Sequence, residues 1–143
     1  DRRLSGTRVF IMMPTDNYRN NERVDLLTYD TKGIWRFYEL KVSKSDFHSK
    51  AKKTFLGHYN YFVMPYDLYN QVKDEIPDNI GCYVTKEHYI IERISDLKFS
   101  CWCIKKPKRQ ELKVNEDRLK QAFIQSLSRQ HEKYMRMLLH NKK

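Results

Sequence analysis

Three ionisable residues carry the strongest chemical suggestion in this chain: Asp25, and the pair Glu39 and Lys41 on either side of Leu40. Asp25 lies in one β-prone run and Glu39-Leu40-Lys41 in the next, with the turn Asp30-Thr31-Lys32-Gly33 between them. Paired as an antiparallel hairpin, the two runs bring Asp25 near Glu39, because opposed side chains on neighbouring strands lie about 5 Å apart. Two carboxylates at that spacing repel unless one is protonated or a cation lies between them. Mg²⁺ suits such a place, since it takes oxygen ligands and keeps several waters and phosphate oxygens in its shell. Lys41 projects from the same strand face as Glu39. There an ammonium can orient or help deprotonate an attacking water, or offset charge on a phosphate under attack. The same residues also suit a plain ion pair between Glu39 and Lys41, with Asp25 an ordinary strand-end acid.

The elements that must position these groups follow from pattern. Arg8 to Met13 reads as a strand stopped by Pro14, residues 15–21 as polar turn material, and Arg23 to Tyr29 as a second strand. Ile34 to Val42 is a third strand with two unlike faces: Trp35, Phe37, Glu39 and Lys41 on one, Ile34, Tyr38, Leu40 and Val42 on the other. A charged pair beside aromatics is not the composition of a simple solvent face. Ser43 is a plausible N-cap, with Asp46 placed as in a capping box, for a helix running to about Phe55 or Leu56 and stopping near Gly57. Tyr61 to Met64 is a strand closed by Pro65, Asp67 to Lys73 a short helix, and Pro77-Asp78-Asn79 a turn. Ile80 to Val84, Tyr89 to Arg93 and Phe99 to Ile104 complete the sheet.

A last helix, capped by Asn115, repeats Leu119, Ala122, Phe123, Ser126, Leu127, Gln130, Tyr134 and Leu138 at three- and four-residue steps. Glu116 and Asp117 suit its positive end, and Lys133, Arg136 and His140 its negative end. Strands interleaved with helices make an α/β layered domain, with a long amphipathic helix at its C-terminal end.

The chain has 143 residues, enough for one domain with its own core. Its 19 aromatic side chains (ten Tyr, seven Phe, two Trp) exclude a disordered chain. With 28 Lys and Arg against 18 Asp and Glu, the formal charge is +10, which favours a polyanionic partner, of which nucleic acid is the commonest. An odd count of three cysteines (Cys82, Cys101, Cys103) and no apolar leader point to free thiols in a reducing, cytoplasmic setting. Cys101 and Cys103 share a strand face, and without further ligands nearby they read as packing residues rather than a zinc site. No apolar run is long enough to cross a membrane. The chain opens on Asp1 rather than Met, so an N-terminal helix trimmed from the domain is compatible with it.

Beyond spacing, the flanking residues show a resemblance. Arg23-Val24-Asp25, then Tyr38-Glu39-Leu40-Lys41-Val42-Ser43-Lys44-Ser45-Asp46-Phe47, resemble the core of the PD-(D/E)xK nuclease superfamily. Within it the match is to MmcB-type DNA-repair proteins, with their R-x-D strand, E-x-K-x-S strand end, D-F pair and basic helix. Lys52 and Tyr61-Phe62-Val63-Met64-Pro65 fall where that pattern has a helix lysine and an apolar strand. The likeness covers roughly Arg23 to Val84. It implies a mixed central sheet flanked by helices, a restriction-endonuclease-like core, and hydrolysis of DNA phosphodiesters. It also implies Mg²⁺ or Mn²⁺ held by Asp25, Glu39 and the Leu40 carbonyl, with Lys41 supporting the attacking water or the leaving charge. Val24 stands where the superfamily's name has proline. The acid that many members supply from a helix before the first strand has no counterpart here except Asp1.

Around this centre, Lys44, His48, Lys50, Lys52 and Lys53 crowd the following helix, and Lys105, Lys106, Lys108 and Arg109 make a compact basic loop. Both are expected to contact nucleic-acid backbone, where such groups position a duplex without reading its sequence. Asp46 reads as a capping acid and His58 as a helix-end packing residue. Tyr59, Tyr61, Tyr66 and Tyr69 read as core and rim packing, with stacking on unpaired bases as the alternative. The expected function is a metal-dependent deoxyribonuclease, and a homodimer is compatible with it. Two rival readings are a non-cleaving DNA-binding protein of the same fold, and a basic interaction module in which Glu39 and Lys41 merely pair.

Overall fold

The structure, a computed structural model, describes residues 11–14, 21–49, 55–86 and 101–141. Their strands are β1 (Ile11–Pro14), β2 (Asn21–Val24), β3 (Leu26–Tyr29), β4 (Trp35–Leu40), β5 (Tyr59–Pro65), β6 (Gly81–Thr85) and β7 (Cys101–Lys105). The helices are α1 (Lys44–Phe47), α2 (Tyr66–Val72) with a 3₁₀ turn at Lys73–Glu75, and α3 (Glu116–His140). Strands β3 to β7 form one mixed sheet in chain order, antiparallel at both margins and parallel across β4, β5 and β6. Strands β1 and β2 form a separate antiparallel pair. This is the mixed sheet with flanking helices expected of an α/β fold. Of the predicted strands, Tyr89 to Arg93 lies outside the described residues, as does the start of the first.

The hairpin β3–β4 is set by its turn. Asp30 Oδ1 accepts from the Lys32 and Ile34 amides, and Gly33, at φ +76°, takes the left-handed conformation that lets the chain reverse. Asp30 Oδ2 also accepts from Arg36 Nη1 at 2.7 Å, tying the turn to the strand it launches.

Two expectations about segment length are corrected. The run Arg23 to Tyr29 is not one strand: it bends at Asp25, leaving β2 to pair with β1 and β3 with β4. The cause is a tertiary hydrogen bond, since Asp25 Oδ2 takes the Leu40 amide at 2.9 Å in place of a ladder partner. Nor does one helix run from Ser43 to Phe55. The four-residue helix α1 is capped by His48, and residues 55–56 are not helical. Phe47 and Phe55 both pack on the Phe62 ring, at 5.2 and 5.0 Å between centroids. Eight residues of continuous helix would separate them by about 12 Å along its axis.

One face of the sheet carries two apolar clusters. Val24, Leu27, Trp35 and Phe37 meet Leu119 and Ala122 of α3. Phe62, Met64, Cys82 and Val84 lie with Phe47 of α1 and Leu68 and Val72 of α2. Each fully buried aliphatic or phenyl side chain here contributes roughly 1.5–3 kcal/mol. The opposite face buries Leu26, Tyr38, Tyr61 and Val63, with Tyr38 stacked on Tyr61 at 4.9 Å.

Helix α3 is capped as expected, Asn115 Oδ1 accepting from the Arg118 amide. Only its first half is buried: Leu119, Ala122 and Ser126 are covered, whereas Tyr134 and Leu138 are exposed despite continuing the apolar period. Among the described residues no helix is long and apolar enough to cross a membrane.

Candidate active site

The start of β4 is locked by main-chain and side-chain hydrogen bonds. Trp35 is fully buried, its amide donating to His58 Nδ1 at 3.0 Å while the His58 amide donates back to the Trp35 carbonyl. Its indole Nε1 donates to Glu116 Oε1 at the first turn of α3. Gln110 closes the same corner, its Nε2 donating to the Phe55 and Gly57 carbonyls. Gly57 is required there: a Cβ would stand 2.6 Å from the Phe37 ring and 3.0 Å from the Trp35 carbonyl. Burial, and next the positive charge of Arg109, hold the His58 pKa below its usual value, which suits an imidazole accepting at Nδ1. His58 thus holds the fold just before β5, as a hydrogen-bond acceptor and not at the helix end expected of it.

The end of the same strand is different in kind. Glu39 and Lys41, each 6% exposed, continue the face of Trp35 and Phe37. Lysine and glutamate are almost never buried to this degree unless paired. The β3–β4 register ends with Leu26 opposite Tyr38, and the next residue, Asp25, reaches the amide of Leu40, which follows Glu39. The Asp25 carboxylate is fixed there by the Leu40 amide. In a strand the N–H and C=O of one residue point to the same side. The Lys41 amide points to β5, where it donates to Val63 O at 2.9 Å. The Leu40 carbonyl therefore faces the other way, toward Asp25. Asp25, Glu39 and Leu40 so bring two carboxylates and one main-chain carbonyl to a single strand end.

Asp46 joins this group, a role that the capping pattern did not reveal. Ser43 Oγ accepts from the Asp46 amide, as an N-cap should. Asp46 Oδ2, instead of closing the box on Ser43, accepts from the Val42 amide at 3.0 Å, and its Oδ1 lies 3.8 Å from Lys41 Nζ. The loop between β4 and α1 is thereby folded over the Lys41 ammonium. The whole group stands at the carboxyl ends of parallel strands, where open α/β sheets place their ligand crevices.

The donor set is oxygen only, which matches Mg²⁺ or Mn²⁺ rather than a metal preferring thiolate or imidazole. Among the described residues no three His, Cys, Asp or Glu side chains come together. An ion here would rest on two carboxylates, a carbonyl and water, a shell that Mg²⁺ accepts.

The basic residues divide. Lys44 and His48 are exposed on α1 beside the site, with His48 Nε2 2.8 Å from Glu75 Oε1. Lys50, Lys52 and Lys53 lie outside the described residues. Lys105 is committed to the fold, its Nζ donating to the Ile76 and Pro77 carbonyls at 3.3 and 2.7 Å. Lys106, Lys108 and Arg109 are exposed, but their loop returns beneath the start of β4, where the Gln110 amide donates to His58 O. Six residues of strand, about 20 Å, separate that corner from Lys41. Cys82 is buried, its thiol pushed up to about 12 by desolvation, while Cys101 is half-buried and Cys103 exposed.

No family model matches the chain, and no curated protein matches it. Among solved structures it is similar to a protein of unknown function from Silicibacter pomeroyi, 16% identical, with a TM-score of 0.59 over 96% of this chain and 80% of that one. At that identity the likeness concerns the fold alone.

Proposed function

We propose that this chain is a metal-dependent nuclease that hydrolyses phosphodiester bonds of DNA, with Asp25, Glu39 and Lys41 as its working group. The observation that carries this reading is the burial of Glu39 and Lys41 together on an otherwise aromatic strand face, with the Asp25 carboxylate fixed beside them. Removing such charges from water costs several kcal/mol per ion before compensation, and an ordinary surface ion pair would need none of it. Pairs that stability alone does not favour are common at functional sites. The PD-(D/E)xK resemblance of the same residues supports the reading independently.

Asp25 and Glu39 would hold Mg²⁺ or Mn²⁺ through carboxylate oxygens, with the Leu40 carbonyl as a third donor. When bound, that ion supplies Lewis-acid polarisation of the phosphate and charge neutralisation. Lys41 Nζ lies 3.8 Å from Asp46 Oδ1, and from the Glu39 face it donates hydrogen bonds that orient a water or offset charge on the phosphate. Asp46 limits where the ammonium can go. The apolar wall of Phe37 and Phe62 lowers the local dielectric, which strengthens each of these interactions.

The test is incubation of the protein with single-stranded, nicked, flapped and junction DNA in Mg²⁺, Mn²⁺ and EDTA. Cleavage in a divalent cation and none in EDTA is expected. Full activity in EDTA, or no cleavage of any DNA form, overturns the reading. Salt-sensitive binding without cleavage would instead mark a DNA-binding protein of this fold.

A further inference from the structure

Two large aromatic side chains, Tyr66 and Trp102, each 41% exposed, meet at the same end of the sheet as Glu39 and Lys41. Their ring centroids are 6.1 Å apart with an interplanar angle of 35°, so the rings adjoin at a tilt and both side chains remain exposed. A single exposed aromatic calls for no explanation; an adjoining pair beside a polar site does.

Topology places the pair. Trp102 pairs with Val84, which pairs with Met64, and Met64 stands two residues beyond Phe62, the partner of Glu39. Counting registers, Trp102 lies on the Glu39 face, at the level of Lys41 and three strands away, about 14 Å. Tyr66 opens α2 directly after β5, three residues past Val63, whose carbonyl accepts from the Lys41 amide. That is about 10 Å of chain. Exposed Lys86, just past the end of β6, and exposed Lys44, at the start of α1, supply positive charge along the same end. Bases inside a duplex have no free face for such rings, whereas an unpaired strand offers both bases and phosphates.

We propose that Tyr66 and Trp102 form a stacking platform for unpaired bases, so that the site works on a single-stranded segment of DNA. The cleavage part of this rests on the nuclease reading above; the binding part does not. A strand crossing the carboxyl ends of β4 to β6 and the amino end of β7 lays bases on Tyr66 and Trp102 while its backbone passes Lys41. Base–aromatic stacking tolerates any sequence, because every base has a π-face.

The experiment measures binding in EDTA, where no metal-dependent cleavage can intervene. The probes are a short oligodeoxythymidylate, an abasic strand of equal length and charge, and a blunt duplex. The parent should bind the oligodeoxythymidylate more tightly than the abasic strand. Tyr66→Ala and Trp102→Ala should each weaken oligodeoxythymidylate binding about 5- to 100-fold, the effect of losing one base–aromatic stack, and leave abasic binding unchanged. Tyr66→Phe should restore most of the loss. Trp35 is fully buried, so quenching of tryptophan fluorescence by the oligonucleotide should vanish in Trp102→Phe. Both side chains are surface-exposed, and circular dichroism melts will show the variants folded. Equal parent affinity for the abasic and base-bearing strands, or alanine variants that bind like the parent, overturns the platform, as does a parent that binds no single strand. If stacking is found and no DNA is cleaved, the nuclease reading fails and the platform stands. If only duplex is cut and the alanine variants bind normally, the platform fails and the nuclease reading stands.

Discussion

The two ends of β4 are built on opposite principles. At its start, Trp35 is buried among Tyr29, Phe123 and Leu119, and the backbone groups around it are matched by His58 and Gln110. At its end, some 20 Å away, the same face buries a carboxylate and an ammonium, with a second carboxylate held by a main-chain amide. The first arrangement buries apolar surface and matches its backbone groups. The second buries charge, which costs several kcal/mol per ion before compensation, and the nuclease proposed above would put that charge to use. Stability and activity should therefore separate along six residues of one strand.

The strongest test of that separation compares the two ends directly. Glu39→Ala and Asp25→Ala are expected to lose metal-dependent cleavage to background while still folding cooperatively; Glu39→Ala removes a buried charge, and Asp25→Ala a partly buried one together with its bond to the Leu40 amide. Trp35→Ala is expected to do the reverse, destabilising by about 3–5 kcal/mol while the folded fraction still cleaves. Urea unfolding beside a cleavage assay measures both. If Glu39→Ala unfolds the protein and Trp35→Ala leaves it stable, the comparison is inverted and the end of β4 is structural.

Much of this division was legible in the residues. The alternation of Trp35, Phe37, Glu39 and Lys41 against Ile34, Tyr38, Leu40 and Val42 set the strand face, and the Asp30 turn set the hairpin partner. What was not legible depends on contacts distant in sequence. Val24-Asp25-Leu26-Leu27 reads as an unbroken strand, and only the Leu40 amide, 15 residues on, bends it. His58 and Gln110 are 52 positions apart, and no local pattern joins them to Trp35. The Ser43 cap with Asp46 and the stop near Gly57 suggested one helix to about Phe55 or Leu56, but α1 ends at His48, and Phe47 and Phe55 both pack on Phe62. In α3 the apolar period runs past what the described domain can cover, since periodicity states which side chains can be buried and not what lies opposite them.

Lys41 sharpens the comparison one level down. Lys41→Met keeps most of the stem and removes the charge, so cleavage should slow by about 100-fold with DNA affinity little changed. Lys41→Arg keeps the charge but not the compact ammonium, and should recover only part of the rate. Turnover at the parental rate in Lys41→Met would reassign the residue to the fold.

Asp46 should matter less, and only through Lys41. Asp46→Asn keeps an acceptor for the Val42 amide while removing the charge 3.8 Å from Lys41 Nζ. A loss of roughly 10-fold in rate is expected, of the order seen when a supporting contact to a working group is removed. In a Lys41→Met background the same change should cost almost nothing. A cap-only role predicts equal losses in both backgrounds, so additive effects would exclude positioning.

The smallest effect belongs to the start of the strand and to pH. His58 Nδ1 accepts from the Trp35 amide, so the neutral ring is the form that the fold uses. Burial, and next Arg109, depress the folded-state pKa below the usual histidine value, about 6.5 in the unfolded chain. The unfolded chain therefore takes up this proton at a higher pH than the folded protein does. Above about pH 6.5 the contribution to stability is fully present, and it is lost as pH falls from there through the depressed folded-state value. His58→Asn offers an amide oxygen to the Trp35 amide but has no proton to gain in this range. Subtracting its unfolding free energy from that of the parent at each pH cancels the other titrating groups. The difference should be flat above neutrality and fall in mildly acid solution, with the His58 ring titrating below 6.5 in proton NMR. The end of β4 should be silent here, and Glu39→Ala should leave this difference unchanged. A parent and variant with parallel pH profiles would show that the His58–Trp35 bond does not depend on the neutral ring.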